Sequence, residues 1–507
     1  MSSSKVVGLD QLEELCGELR AGGNAVVLCH GVFDLMHSGH ILHLQRARKE
    51  GSHLVVTITA NAFVNKGPGR PVFSEQLRAE TIAALGCVDY VAINHAPTAI
   101  NVLQRLQPAV YVKGGEYRNP GDDITGGIAE ERAAVEAGGG RIFFTDEATF
   151  SSSTLLNEHF GVFPPATKAY LDQFRQRHSG KNVIDALQSL SNLNVLVVGD
   201  AIIDQYHYTS PLGQSGKSLA LCVKHEYAEQ FPGGAIAVAN HVAGFCQSVT
   251  LVSGLGRLDT KEEFIRSRLR ENVDPKFFYI EDSPTVTKRR FVDEDLNKMF
   301  EVYFFNDESD LSEVEVQVDD WLAREAAGYD LVIVPDFGNG FISKRIAASL
   351  SRHAKLLAIN TQINSGNRGY HVVSRYPRAD FISLNEPEIR LATHDRHSEL
   401  ADVIERIGAK LGARVVAVTR GTQGAVAMDR GSGELHAVPA LSTRVVDRIG
   451  AGDAFLSLFG LCLGGGMTAE LAAFAGSAAA ALDVQIVCNR EPVEPVALYK
   501  YVTTLLK

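Results

Sequence analysis

The chain has 507 residues, 45% hydrophobic and 21% charged, with a formal net charge of -11. That length exceeds one ordinary hydrophobic core and predicts two or three domains. The acidic balance disfavours a nucleic-acid partner, so anionic small substrates must be met by locally placed Lys, Arg and helix N-termini. The most apolar stretch, Leu471 to Val484, is too short for a membrane span and reads as a buried helix. Met1 to Asp10 has no apolar core of the secretory kind. The seven cysteines form no CxxC pair and no cluster with His at metal spacing, which predicts reduced thiols in a cytoplasm and no structural zinc.

In chain order, residues 11 to 22 read as a short amphipathic helix, and Asn24 to His30 as a compact strand. The strand ends in Gly31-Val32-Phe33-Asp34-Leu35-Met36-His37-Ser38-Gly39-His40, and a strand feeding a helix through such a turn opens an α/β nucleotide fold. His37 and His40 share a helical face, and Gly39 allows a ligand close to the backbone. Two imidazoles there can donate hydrogen bonds to phosphate oxygens as charge builds in a transition state; taken alone, the pair equally suits half a metal site or a surface pair. Leu54 to Ala60 is a second strand, followed by Asn65-Lys66-Gly67 and Arg70-Pro71-Val72. A helix opens at Gln76-Leu77-Arg78, and a third strand begins at Val88-Asp89-Tyr90-Val91. Lys113, after a buried strand and before Gly114-Gly115, is either a surface lysine or a phosphate contact. Glu130 to Ala137 reads as a helix and Arg141 to Thr145 as a strand. The hydroxyl run Ser151-Ser152-Ser153-Thr154 at a helix start suits pyrophosphate.

Over roughly residues 25 to 160 these segments resemble the cytidylyltransferase-like nucleotidyltransferase family. The resemblance implies metal-dependent transfer of a nucleotidyl group to a phosphate-bearing acceptor, with pyrophosphate released. His37, His40 and Lys66 would then be catalytic. Gly31, Phe33, Asp34, Gly39, Arg78, Lys113, Ser152, Ser153 and Thr154 would bind nucleotide or phosphate. Which base the donor carries, ATP or CTP, has no motif.

Residues 166 to 190 read as a polar helical connector, poor in Gly and Ser. A new strand, Val195 to Val198, then leads into Gly199-Asp200-Ala201-Ile202-Ile203-Asp204, and Pro232-Gly233-Gly234-Ala235 follows as a turn. Thr287-Lys288-Arg289-Arg290-Phe291 is a cationic strand, either on a sheet edge or facing an anionic substrate. Asp336-Phe337-Gly338-Asn339-Gly340 is a further turn, and Asn360 to Tyr370 is a polar loop near the active face. Asn385-Glu386-Pro387-Glu388 places hard oxygen ligands of the kind Mg²⁺ prefers. Thr419-Arg420-Gly421-Thr422-Gln423-Gly424 ends another strand. In Asp447-Arg448-Ile449-Gly450-Ala451-Gly452-Asp453, three backbone amides converge where a helix begins, a ready anion site. A carboxylate repels a phosphate, so Asp453 is either an ordinary N-terminal capping acid or the base that takes a proton from an attacking hydroxyl.

This second region, roughly 192 to 500, resembles the ribokinase-like carbohydrate kinases. The resemblance makes Asp453 the catalytic base and Gly450, Ala451 and Gly452 the anion hole. Thr419, Gly421 and Gly424 would hold nucleotide phosphate, Asp204, Gly233 and Gly234 the sugar, and Asn385 and Glu388 the Mg²⁺ with its waters. Asn489 falls loosely at the adenine pocket. Two positions depart from the family pattern: Ala237 stands where Asn is usual and Asn339 where Lys is usual. The acceptor sugar therefore cannot be carried over.

The fold class expected is α/β. A Rossmann-like nucleotidyltransferase domain (1–163) is joined by a helical connector (164–191) to a ribokinase-like domain (192–507). The pairing resembles the bifunctional ADP-heptose synthases, in which the kinase comes first. The expected function is nucleotide-sugar synthesis with ATP as phosphoryl donor, an NTP as nucleotidyl donor and sugars or sugar phosphates as substrates. Two alternatives keep the kinase but make the first domain a CTP-dependent polyol-phosphate enzyme or a nucleotide sensor. A homodimer follows from the kinase resemblance, and neither nucleic acid nor membrane is an expected partner.

Overall fold

The computed structural model describes residues 5–64, 70–118, 127–145, 163–367 and 369–507. Lys66, Ser152, Ser153 and Thr154 lie outside them. The chain divides into two compact units, one of Met1–Pro164 with Tyr499–Lys507 and one of Pro165–Leu498.

The first unit is built on a five-stranded parallel sheet. Its strands are β1 (Val26–Gly31), β2 (His53–Thr59), β3 (Tyr90–Asn94), β4 (Val110–Gly114) and β5 (Arg141–Thr145), in the order β3-β2-β1-β4-β5. Val26 to Cys29 are fully buried, as the continuous apolar run requires of a central parallel strand. The order reverses at β1, between β2 and β4. This is the topological switch point at which an open α/β sheet leaves a crevice outside its strand ends.

The second unit has two sheets. The large one contains β6 (Asn194–Val198), β9 (Ser248–Gly256), β10 (Val273–Ile280), β13 (Leu331–Asp336), β14 (Leu357–Thr361), β15 (Phe381–Asn385), β16 (Val415–Thr419), β17 (Ala425–Asp429) and β18 (Glu434–Val438). Their order is β10-β9-β6-β13-β14-β15-β16-β17-β18, parallel until β17 and β18 add an antiparallel edge. The helices Ala451–Gly464 and Ala469–Asp483 are apolar nearly all round and correspondingly buried. The small sheet is formed by β7 (Ala201–Gln214), β8 (Leu221–Gly234), β11 (Thr287–Val292) and β12 (Lys298–Phe304), ordered β12-β11-β7-β8. The cationic run 287–291 is therefore an interior strand, paired with β12 on one side and β7 on the other. An edge position is ruled out.

The polar connector is two helices, Pro165–Arg177 and Gly180–Ser189. It is bound into the second unit: Phe174 stacks on Phe474 at 4.3 Å, and Arg177 and His178 both pair with Glu470, at 2.6 and 3.0 Å.

Candidate active sites

In the first unit the strand β1 delivers its C-terminal turn to the switch point. Phe33 takes a positive φ of 49°, which folds its ring back over Gly31; a Cβ on Gly31 would lie 3.1 Å from that ring. His37 caps the helix Ser38–Arg48, with Gly39 and His40 in its first turn. The His37 and His40 rings stack at 3.9 Å, and Phe33 meets His40 edge-on at 5.5 Å. Burial holds His37 below the usual imidazole range, so it is neutral at neutral pH and can present one N–H donor.

Several partners of this turn hold the loops rather than facing the crevice. Asp34 is buried and its carboxylate accepts the backbone N–H groups of Val72 and Phe73, at 2.8 to 3.0 Å. Arg78 is buried too and donates to the backbone oxygens of Val32, Thr59 and Phe73 and to Asn61 Oδ1. Four of the roughly five N–H bonds of a guanidinium are thus spent on the chain itself. Both residues hold the turn that carries His37; the family resemblance implied nucleotide or phosphate contact for them. Lys113 ends β4 in an ion pair with Glu131 at 2.8 Å and lies 4.7 Å over the Tyr117 ring, so a phosphate must compete with that carboxylate.

In the second unit, Gly450 caps the helix Ala451–Gly464 at φ 100°. A Cβ there would overlap Asn489 Oδ1 and lie 2.7 Å from Asp483 Oδ2, so glycine is required twice, by backbone angle and by space. Ala451 and Gly452 follow in the first turn, and nothing lies within 4 Å of the Gly452 Cβ position. Asp447 anchors the approach to this turn. Its Oδ1 accepts the N–H groups of Arg448 and Ile449, and its Oδ2 accepts Cys488 N–H and the Tyr206 hydroxyl at 2.5 Å. The Tyr206 link, 241 residues distant, was invisible in the sequence.

Asp453 has its carboxyl pushed up to about 8 by burial, by Asp204 and, in the same direction, by Glu388, while Lys288 draws it down. A carboxyl near 8 is largely protonated at pH 7, so Asp453 can accept a proton only in its ionised fraction, which grows as the pH rises. Lys288 is 5% exposed and sits over the rings of Tyr303 and Phe337 at 5.4 and 5.6 Å; among the described residues its ammonium has no ion pair. This residue is the strongest addition to the expected site.

Asp204 is buried and ion-paired with Arg290, which also meets Glu301 at 3.1 Å. Gly233 lies against it: a Cβ would overlap Asp204 Oδ2 and come 3.1 Å from its Cγ. Gly234, at φ 60°, is likewise fixed by close approach to the Asp200 carbonyl. Asp200 accepts the N–H groups of Phe337 and Phe341 and so holds the turn 336–341. The polar loop 360–370 serves the same turn, with Asn364 Nδ2 donating to Phe337 O at 2.7 Å.

Asn385 and Glu388 form a reciprocal capping box at 2.8 Å each way, and Ile363 N–H adds a bond to Glu388. Burial pushes the Glu388 carboxyl up to about 7. No group of three or more His, Cys, Asp or Glu poised for a metal ion occurs among the described residues. A single carboxylate suits Mg²⁺ that keeps its waters and is carried largely by nucleotide phosphates. Thr419 ends β16, with its hydroxyl near Leu384 O at 3.5 Å. Gly421 (φ 57°) and Gly424 (φ 84°) shape the turn beyond it, where a Cβ on Gly424 would overlap Val438 O.

Family models agree with this division. The cytidylyltransferase-like model matches residues 28–157 and the pfkB family carbohydrate kinase model residues 192–493. The bifunctional protein HldE of Geobacter sulfurreducens is 40% identical over 141 residues, 27% of this chain and 27% of that protein. The bifunctional protein HldE of Syntrophotalea carbinolica is 36% identical over 157 residues, 31% of each. The chain thus spans less than a third of the length of these curated relatives. Among solved structures, phosphofructokinase-2 from Escherichia coli in complex with potassium aligns with a TM-score of 0.50 at 17% identity, over 61% of this chain and 99% of that one. That likeness speaks to the fold alone. With its matched region covering more than half of the sequence, the chain belongs to the pfkB family of carbohydrate kinases and carries a cytidylyltransferase-like region ahead of the kinase.

Proposed function

We propose that the chain is a bifunctional enzyme of nucleotide-sugar synthesis. Its C-terminal unit phosphorylates a sugar or sugar phosphate with ATP, and its N-terminal unit transfers a nucleotidyl group from an NTP, ATP or CTP, to a sugar 1-phosphate and releases pyrophosphate. The observation that carries the reading is Asp453 beneath the left-handed Gly450 turn, a carboxyl near 8 with a buried lysine among the charges acting on it. In the kinase step the acceptor hydroxyl gives its proton to Asp453 as its oxygen bonds the γ-phosphorus. The bond from that phosphorus to the bridging oxygen breaks, ADP leaves, and the amides of Ala451 and Gly452 hold the developing charge. Lys288 supplies a cation to the transferring phosphoryl group or to a phosphate on the acceptor. Glu388 would hold Mg²⁺ through water, and the ion when bound neutralises triphosphate charge.

In the N-terminal unit, His37 and His40 donate to phosphate oxygens, with Lys66 as their cationic partner. Asp34 and Arg78 keep the turn in place. Similarity to HldE makes a heptose phosphate the first acceptor to try, with the order of the two activities reversed relative to the ADP-heptose synthases. We take the domains as 1–163, 164–191 and 192–507. The cysteines, all free among the described residues, fit a reducing cytoplasm, and no described helix is long and apolar enough to cross a membrane. Exposed Phe300, Val302 and Phe304, alternate residues on one face of β12, support a homodimer through that face of the small sheet. Separate assays of ADP and pyrophosphate release over a panel of sugars, sugar 1-phosphates and nucleotides test the reading. Absence of pyrophosphate release with every pairing, with ADP release intact, would reduce the first unit to a sensor.

A further inference from the structure

The anion-hole turn is fastened to the small sheet through a single hydroxyl. Among the described residues, Tyr206 is the one side chain that donates to Asp447, giving its Oδ2 a 2.5 Å hydrogen bond; the other three donors, at Arg448, Ile449 and Cys488, are backbone N–H groups. We propose that Tyr206 is a positioning residue for phosphoryl transfer, which aims the Ala451 and Gly452 amides by holding Asp447 and does not itself touch the substrate. This role rests on the kinase reading given above.

The hydroxyl is built as a fixed donor. Tyr206 is 1% exposed, its ring packs with Tyr208, Phe231, Val292 and Cys488, and it meets the Phe231 ring edge-on at 5.4 Å. Burial, with Cys488 and Asp447 adding, pushes its hydroxyl far above the usual phenol range. The proton therefore stays on the Tyr206 oxygen across the working pH range, and a bond from it to a carboxylate is of the stronger, charge-assisted kind.

Asp447 carries that restraint to both sides of Gly450. Through the Arg448 and Ile449 N–H groups it sets the chain that enters the left-handed turn. Through Cys488 N–H it sets the neighbour of Asn489, whose Oδ1 crowds the position that a Cβ on Gly450 would take. Without the Tyr206 bond, Oδ2 keeps one donor and the carboxylate can turn, taking the approach to the helix with it.

The same strand serves the acceptor end. Asp204 and Tyr206 are two residues apart on β7 and so share a face. Arg290 stands opposite Tyr206 in the β11 register and pairs with Asp204. One stretch of strand thus sets both the carboxylate proposed to hold the sugar and the donor that holds the anion hole. A displacement of about 1 Å between reacting groups can cost about a hundredfold in rate, so a shared strand is a direct way to keep the two ends aligned.

The test uses the full chain and Tyr206→Phe, which keeps the packed ring and deletes the hydroxyl. At saturating ATP, kcat for ADP release should fall about ten- to a hundredfold, because the anion hole acts in the transition state, while KM for the sugar stays unchanged with the Asp204–Arg290 pair intact. The charges acting on Asp453 are those of Asp204, Lys288 and Glu388, so the pH limb near 8 should stay in place as its plateau drops. Asp447→Asn reaches the same bond from its other end and should also lower kcat, and adding Tyr206→Phe to it should cost nothing further. Hydrogen–deuterium exchange, which needs no activity, should quicken at residues 448–452 and 488 in Tyr206→Phe and stay unchanged at 415–419. A kept kcat, a raised KM with kcat kept, or a double variant in which the two losses multiply would overturn the positioning role, as would a fall in melting temperature with kcat unchanged. Unchanged exchange at 448–452 would overturn the hold on the turn itself. Quickened exchange there in a chain whose wild type releases no ADP with any sugar would overturn the kinase reading and leave that hold standing.

Discussion

Gly450→Ala tests the geometry of the kinase turn with one methyl group. At φ 100° an L-residue occupies a sparsely populated backbone region, which costs about 1–3 kcal/mol. The new Cβ would overlap Asn489 Oδ1 and sit 2.7 Å from Asp483 Oδ2, and overpacking of that kind costs about 1–3 kcal/mol. Borne in full, the two sum to about 2–6 kcal/mol, enough for the turn to rotate toward negative φ instead. Either outcome removes the amides of Ala451 and Gly452 from their aim, and loss of one oxyanion donor lowers kcat by about 10²–10³. The assay is ADP release at saturating ATP and sugar, beside pyrophosphate release as an internal control for the first unit. The expected result is a collapse of kcat for ADP release with pyrophosphate release unchanged. If Gly450→Ala kept most of its kinase kcat and its melting temperature, the turn would not be the anion hole.

Asp453→Asn should lower ADP release by about 10²–10⁴ while leaving the fold intact, as circular dichroism would check. A base must be unprotonated to act, so with its carboxyl near 8 the kinase kcat/KM should climb with pH and level off above about 8. Lys288→Met removes a charge that draws the carboxyl down, so the same limb should move to higher pH; a fixed limb would separate Lys288 from Asp453. Gly233→Ala forces the Asp204 carboxylate from its place beside Arg290, and breaking a buried ion pair costs about 3–5 kcal/mol, visible as a fall in melting temperature with a raised KM for sugar. Asp34→Ala frees the Val72 and Phe73 amides, so pyrophosphate release should fall with ADP release unaffected.

Much of this architecture was legible because its signals are local. The run Val26 to Cys29 and the turn that follows it announce a buried parallel strand at a ligand crevice, and the structure puts them at the centre of a parallel sheet. Gly450 was likewise readable as part of a turn that opens a helix, and the structure has it capping the helix Ala451–Gly464. What stayed hidden depends on partners far along the chain. Arg290 clamps Asp204 from 86 residues away, and Tyr206 bonds Asp447 across 241, separations that no spacing rule covers. Arg78 and Asp34 carry the charges expected of ligands, and whether a charge meets substrate or a neighbouring loop is decided by burial and register. The run Thr287 to Phe291 was open between an edge cluster and a contact to an anionic substrate, because charge on a strand does not say which strands flank it.

The most direct measurement of the central claim is a paired assay on one preparation, ADP release and pyrophosphate release, for wild type, Asp453→Asn and His37→Ala. The account predicts two separable activities: Asp453→Asn silences ADP release alone and His37→Ala silences pyrophosphate release alone. A His37→Ala chain with undiminished pyrophosphate release, or an Asp453→Asn chain with undiminished ADP release, would contradict it.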